Sequence, residues 1–186
     1  MSTKPTHPNQ GTRGSAQGTA TSGSSASQAA PPMPATEPGG SKEPLPKALA
    51  LARTRALTAW RWIEVAEQTA KRAKDEHKVE QFKNRYGTLA RKLPSLLQVS
   101  GLGQTLAFLF SKGGAKQDDA NGLLFSQLAE HLRGRFPPPE DKKGLDFMVL
   151  VMEYSAADYR SATREAAAVA EWLKRFAEGR LGTEDE

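Results

Sequence analysis

The chain contains no cysteine. That excludes disulfides, thiolate zinc sites and cysteine nucleophiles together, and fits a reducing compartment. The first 44 residues also lack Leu, Ile, Val, Phe, Trp and Tyr; they are mostly Ser, Thr, Gly, Ala, Pro and Gln. A stretch so poor in apolar surface does not offset the entropy of ordering it. Residues 1–44 are therefore expected to be a disordered tail, and residues 45–186 a single domain long enough for one core. No uninterrupted apolar run approaches the roughly 20 residues of a membrane helix. The N-terminus has no apolar stretch of the secretory type, and the tail has too little arginine for a transit peptide. These absences make a cytoplasmic protein with no membrane partner the expectation.

What is present is helical. Leu49, Ala52, Ala56, Trp60, Ile63, Ala66 and Ala70 recur at helical spacing, so a long amphipathic helix is expected from Lys47 to about Ala73. A second is expected over Lys78 to Leu93, where Pro94 should stop or kink it. The turn Gly101-Leu102-Gly103 should lead into a short helix from Gln104 to Ser111, closed by Gly113-Gly114. Asp118 or Asp119 can cap a helix over Ala120 to Arg133, with Gly134 placed to end it. Pro137, Pro138 and Pro139 force an extended loop. The apolar run Leu145 to Tyr154 suits a buried strand or helix; no other segment offers a strand partner, so it reads as helix. Ser155 and Asp158 form a capping-box pattern for the last helix, Ala156 to Leu181. Its apolar face is Tyr159, Ala162, Ala166, Val169, Trp172, Leu173 and Phe176. The acidic end Thr183 to Glu186 reads as frayed. The fold class is all-α, a compact bundle of about six helices.

No nucleophile elbow, phosphate loop, or HExxH or CxxC motif is present. His77 lies beside Asp75, Glu76 and Glu80, which admits a metal-dependent nuclease, but a solvated charged loop explains the same residues. His131 near a helix C-terminus suits the helix dipole. Acids are interspersed with bases at helical spacing, Glu171 with Arg175 for example, as in surface support. The chain is therefore expected to be non-enzymatic, with no cofactor and no metal.

The net charge is +5, and the clearest charge pattern is on the last helix. At about 100° per residue, Arg164, Glu171, Lys174 and Arg175 fall within about 60° of Arg160, opposite the apolar face. Lys83, Arg85, Arg91 and Lys92 form a second basic group. Such faces are ordinary solvated surfaces or tracks for a phosphate backbone, where Arg and Lys supply affinity without sequence preference. Trp60, Phe108, Trp172 and Phe176 sit at core spacing, so little stacking on bases is expected.

Three stretches together resemble a known family. They are Tyr86-Gly-Thr-Leu-Ala-Arg-Lys-Leu-Pro94, then Ser100-Gly-Leu-Gly-Gln-Thr-Leu-Ala-Phe-Leu-Phe-Ser-Lys112, and last Tyr159-Arg-Ser-Ala-Thr-Arg-Glu-Ala166 with Glu171-Trp-Leu-Lys-Arg-Phe-Ala-Glu178. In this order, within residues 47–181, they resemble the small subunit of the type III-B CRISPR effector, the Cmr complex. The related type III-A small subunit is a rival; the Gly-Leu-Gly-Gln-Thr-Leu-Ala-Phe stretch favours III-B.

The resemblance implies a non-catalytic subunit of an RNA-guided, RNA-targeting complex. Copies would stack into a short filament beside the RAMP backbone subunits, along the guide RNA–target RNA duplex. Within the matched stretches, Arg85, Arg91, Lys92, Lys112, Arg160, Arg164, Lys174 and Arg175 become candidates for contact with RNA or an acidic partner. Tyr86, Leu89, Leu93, Leu102, Leu106, Phe108, Trp172 and Phe176 become packing positions. The tail and the proline loop Arg135 to Lys143 depart from the pattern and inherit no role. A protein-only helical adaptor is the alternative reading.

Overall fold

A computed structural model of the chain describes residues 46–181. The expected tail over 1–44 and the acidic end lie outside them. All regular structure among the described residues is helical: α1 (Lys47–Lys71), α2 (Glu76–Gly113), α3 (Ala120–Arg135), a 3₁₀ turn (Glu140–Lys142), α4 (Phe147–Met152) and α5 (Ala156–Arg180).

The caps follow the local chemistry. Asp119 takes the N–H groups of Asn121 and Gly122 at the start of α3. Asp146 takes that of Met148 at α4. Ser155 takes that of Asp158 at α5, and its hydroxyl donates back to the Asp158 carboxylate at 2.7 Å. Each satisfies donors that a helix leaves open at its N-terminus.

Neither Pro94 nor Gly134 stops its helix. Helix α2 runs through Pro94, which is buried with its neighbours Leu93 and Leu97. An internal proline costs a helix about 3 kcal/mol, and burial of the flanking leucines offsets that. Helix α3 passes Gly134 and ends at Arg135, since glycine permits a stop without imposing one. The real break in α2 is at Gly101, whose φ is +74°. Glycine takes that conformation without a Cβ penalty. The Tyr159 hydroxyl of α5 accepts the Gly103 N–H at 2.9 Å and satisfies one donor exposed by the break.

The break folds α2 into two arms that pack with α3 and α5. An 18-residue window of α2 has mean hydropathy 1.3, so length and composition alone would let it cross a membrane. Counting uninterrupted apolar runs misses this. In the fold its apolar residues Tyr86, Leu93, Leu97, Leu102, Leu106 and Leu109 form the centre of the core.

Helices α1 and α5 lie side by side and run in the same direction. Arg55 meets Glu165, Trp60 meets Phe176 and Glu67 meets Arg180, so both numberings rise together. The expected face of α1 is rotated. Ala59, Trp62, Ile63, Ala66, Thr69 and Ala70 are buried, whereas Leu49 is 53% and Trp60 38% exposed. Phe108, also expected in the core, is 41% exposed. Large apolar residues occur on two sides of α1, and spacing alone does not say which side meets the bundle.

A polar chain is buried with the leucines. The Tyr86 hydroxyl donates to Gln127 Oε1 at 2.6 Å, and Gln127 Nε2 donates to the Trp62 carbonyl at 3.2 Å. It links α2, α3 and α1. Burial pushes the Tyr86 phenol far above its ordinary range, more than the Gln127 hydrogen bond lowers it. Tyr86→Phe leaves the Gln127 oxygen unpaired in the core. The expected loss is about 1–3 kcal/mol by denaturant unfolding, since that is the cost of a stranded buried acceptor.

Candidate nucleic-acid interface

Four basic residues of α5 form one face, while Arg180 turns to the other side and pairs with Glu67 of α1. Arg160, Arg164 and Arg175 are exposed and Lys174 is half-buried. Their side opposes Ala162, Ala166, Val169, Leu173 and Ala177, which pack inward. Among the described residues, Arg160, Arg164 and Lys174 have no ion-pair partner. The expected Glu171–Arg175 pair is not formed; the Arg175 guanidinium instead lies 5.8 Å from the Trp172 ring centroid. From Arg160 to Arg175 the face rises about 22 Å at 1.5 Å per residue. An exposed row of cations of that length can neutralise several phosphates.

The second group is not a single face. On α2, Arg85 and Lys92 lie within about 20° of one another, while Arg91 is about 100° from Lys92. Arg85 reaches Asp119 Oδ2 at 3.5 Å, and Asp119 caps α3. Burial raises the Asp119 carboxyl; hydrogen bonds from Asn121 and Gly122 and the Arg85 charge more than reverse this, so it lies below its ordinary value. Arg91 is half-buried and donates to the Thr88 hydroxyl at 3.2 Å. Lys92 and Lys112 are exposed. Arg85 and Arg91 thus have contacts within the fold, and the α5 set is the coherent surface.

His77 is exposed at the start of α2, where its backbone N–H donates to Asp75. Among the described residues no three His, Asp or Glu side chains are grouped to hold a metal ion. His131 has a contact that sequence reasoning missed: its Nε2 lies 3.2 Å from Glu165. Glu165 also accepts from Arg55 Nε at 3.1 Å. The three residues tie α3, α5 and α1 together. No sequence signal announces this trio, because its members are 110 and 34 residues apart.

The fold and its basic face can be set beside known proteins. The model of the family described as CRISPR-associated protein (Cas_Cmr5) matches residues 51–180. The chain belongs to the Cmr5 family. A curated relative, the CRISPR system Cmr subunit Cmr5 of Thermus thermophilus, is 36% identical over 118 residues. That alignment covers 63% of this chain and 90% of the relative. Family membership makes the chain a small subunit of a type III-B CRISPR effector and sets aside the type III-A reading. The matched region begins within α1 and ends at the last residue of α5, so it contains the α5 basic face.

Proposed function

We propose that this chain is a non-catalytic structural subunit that places the α5 face against RNA in an RNA-guided, RNA-targeting effector for antiviral defence. Its partners are the other Cmr subunits, the RAMP backbone subunit above all, together with further copies of itself in a short filament. The guide–target RNA duplex runs past that filament. The setting is the cytoplasm, without a membrane or a cofactor. The observation that carries this reading is the row Arg160, Arg164, Lys174 and Arg175, exposed or half-buried on one helix face. Glu171 and Glu178 share that face but form no ion pair with these four cations, and cations held outward in this way suit a polyanion whose sequence is not being read.

Pull-down of the tagged chain from its native extract, with sequencing of co-purifying RNA, is expected to recover guide RNAs and RAMP-type subunits. A clean protein without them refutes the assembly. Charge reversal at both Arg160 and Arg164 tests the face. Assembly should persist while RNA binding weakens, the slope of log affinity against log salt falling by about 0.7–0.9 for each phosphate that is no longer neutralised. Failure to assemble with RNA protection intact would instead favour the protein-only adaptor, which the exposed Leu49, Leu57 and Trp60 of α1 would suit.

A further inference from the structure

Three rings form a row across α1 and α5. Trp60 meets Phe176 edge-on, with centroids 5.4 Å apart, and Phe176 stacks with Trp172 at 5.9 Å. A guanidinium lies at each end, Arg180 at 4.6 Å from Trp60 and Arg175 at 5.8 Å from Trp172. Trp60 is 38% exposed; Trp172 and Phe176 are half-buried. Trp172 and Phe176 pack against the core as expected, whereas Trp60 departs from the core position its spacing suggested. Three acids lie nearby: Glu64 accepts the Trp60 indole N–H, Glu67 pairs with Arg180, and Glu171 is exposed. On the outer side of α5, Arg164 lies within about 20° of Arg175 on the wheel. On α1, Arg53 lies within about 20° of Trp60 and is exposed.

Partly exposed aromatic rings beside outward arginines are the composition that single-stranded nucleic acid selects. Every base has a π-face to stack, and arginine supplies both phosphate contact and a planar stacking group. A duplex keeps its bases stacked internally and offers only its backbone and groove edges. We propose that the Trp60–Phe176–Trp172 row is a stacking site for unpaired bases of an RNA strand. The bases take the places of the guanidinia now over Trp60 and Trp172, and the strand's phosphates are held by Arg164 and the displaced Arg175. This rests on the RNA-facing reading of α5 and narrows it from a backbone track to a site that senses unpaired nucleotides.

Tryptophan emission of the full chain tests it directly, with oligoadenylate and an RNA duplex of equal length as probes. Trp62 is buried at 8% exposure and serves as the internal background. Oligoadenylate should quench emission and the duplex should not. Replacing both Trp60 and Trp172 by leucine should weaken oligoadenylate binding about 5- to 100-fold, one stacked base or more. The salt slope should be unchanged, because the phosphate contacts remain. Equal quenching by the duplex, or a double variant within about twofold of wild type, overturns base stacking and leaves the RNA-facing reading intact. Absence of RNA binding by the wild-type chain overturns both and reassigns the exposed rings, with Leu49 and Leu57, to a protein partner. If the double variant fails to fold, the comparison of the two probes on the wild type still decides.

Discussion

Replacing Glu165 by alanine is expected to destabilise the fold by up to about 3–5 kcal/mol, the range for removing one partner of a buried ion pair, reduced to the extent that water reaches Arg55, whose side chain is 24% exposed. The Glu165 side chain is 6% exposed and faces Arg55 and His131. Removing it leaves the Arg55 guanidinium with no counter-charge between α1 and α5, and His131 without its partner on α3. Glu165→Gln keeps the shape and some hydrogen bonding, so it should cost less than alanine. The pair of variants separates charge from packing.

The same residue gives a pH signature. Burial pushes the Glu165 carboxyl up, but Arg55 and His131 together more than reverse this, so it lies below its ordinary value. A group depressed in the folded state contributes stability above its unfolded pKa and loses it as pH falls through the folded one. The contribution should therefore be complete above about pH 4.3, the ordinary glutamate value, and decline below it. Unfolding free energies measured on either side of that value should show the decline in the wild type. Glu165→Gln should remove that portion of the slope; an identical acid slope in both proteins would refute the assignment.

Gly122→Ala is expected to cost about 3 kcal/mol or more, at the upper end for overpacking. A Cβ at Gly122 would lie 2.1 Å from the Lys116 carbonyl oxygen and 2.9 Å from that of Gly113. Both are backbone atoms in the turn joining α2 to α3, so no rotamer change relieves them. Gly113 is equally confined, its Cβ position being 2.3 Å from the Gly122 nitrogen. Gly134→Ala is the control. It also lies in α3, but with no such neighbour within 4 Å, and alanine there should stabilise by about 0.5–1 kcal/mol through helix propensity. Thermal and denaturant unfolding of the two variants should move in opposite directions. Movement in the same direction would mean that the crowding at Gly122 is not what limits it.

Much of the helical layout was legible because its signals are local. Asp119 and Ser155 cap helices by bonding N–H groups two or three residues on, as their spacing announced, whereas the Asp146 cap of α4 was not read. Gly101 and Gly114 sit where the chain takes positive φ, which the glycine pairs marked. The amphipathic face of α5 also held, with Ala162, Ala166, Val169 and Leu173 buried and the arginines opposite. That Pro94 does not stop its helix was not legible, because a proline's local cost is read from the sequence, while the burial that offsets it comes from other helices. The α1 face was misjudged for a related reason. Trp60 and Trp62 are both large and apolar, and only contact with α5 and α3 decides that Trp62 goes inward while Trp60 meets Phe176 at the edge.

By itself the sequence determined a cysteine-free helical chain, the caps at Asp119 and Ser155, its glycine turns, and one basic face on the last helix. Those depend on spacing and on interactions within a turn or two, which any copy of the segment carries. The tertiary structure decided the rest. It joined Arg55, His131 and Glu165, committed Arg85 to the α3 cap, and assembled Trp60, Phe176 and Trp172 into one row. Each of these depends on the register of one helix against another. Register is set by the summed packing of side chains from separate segments, and no single segment encodes it.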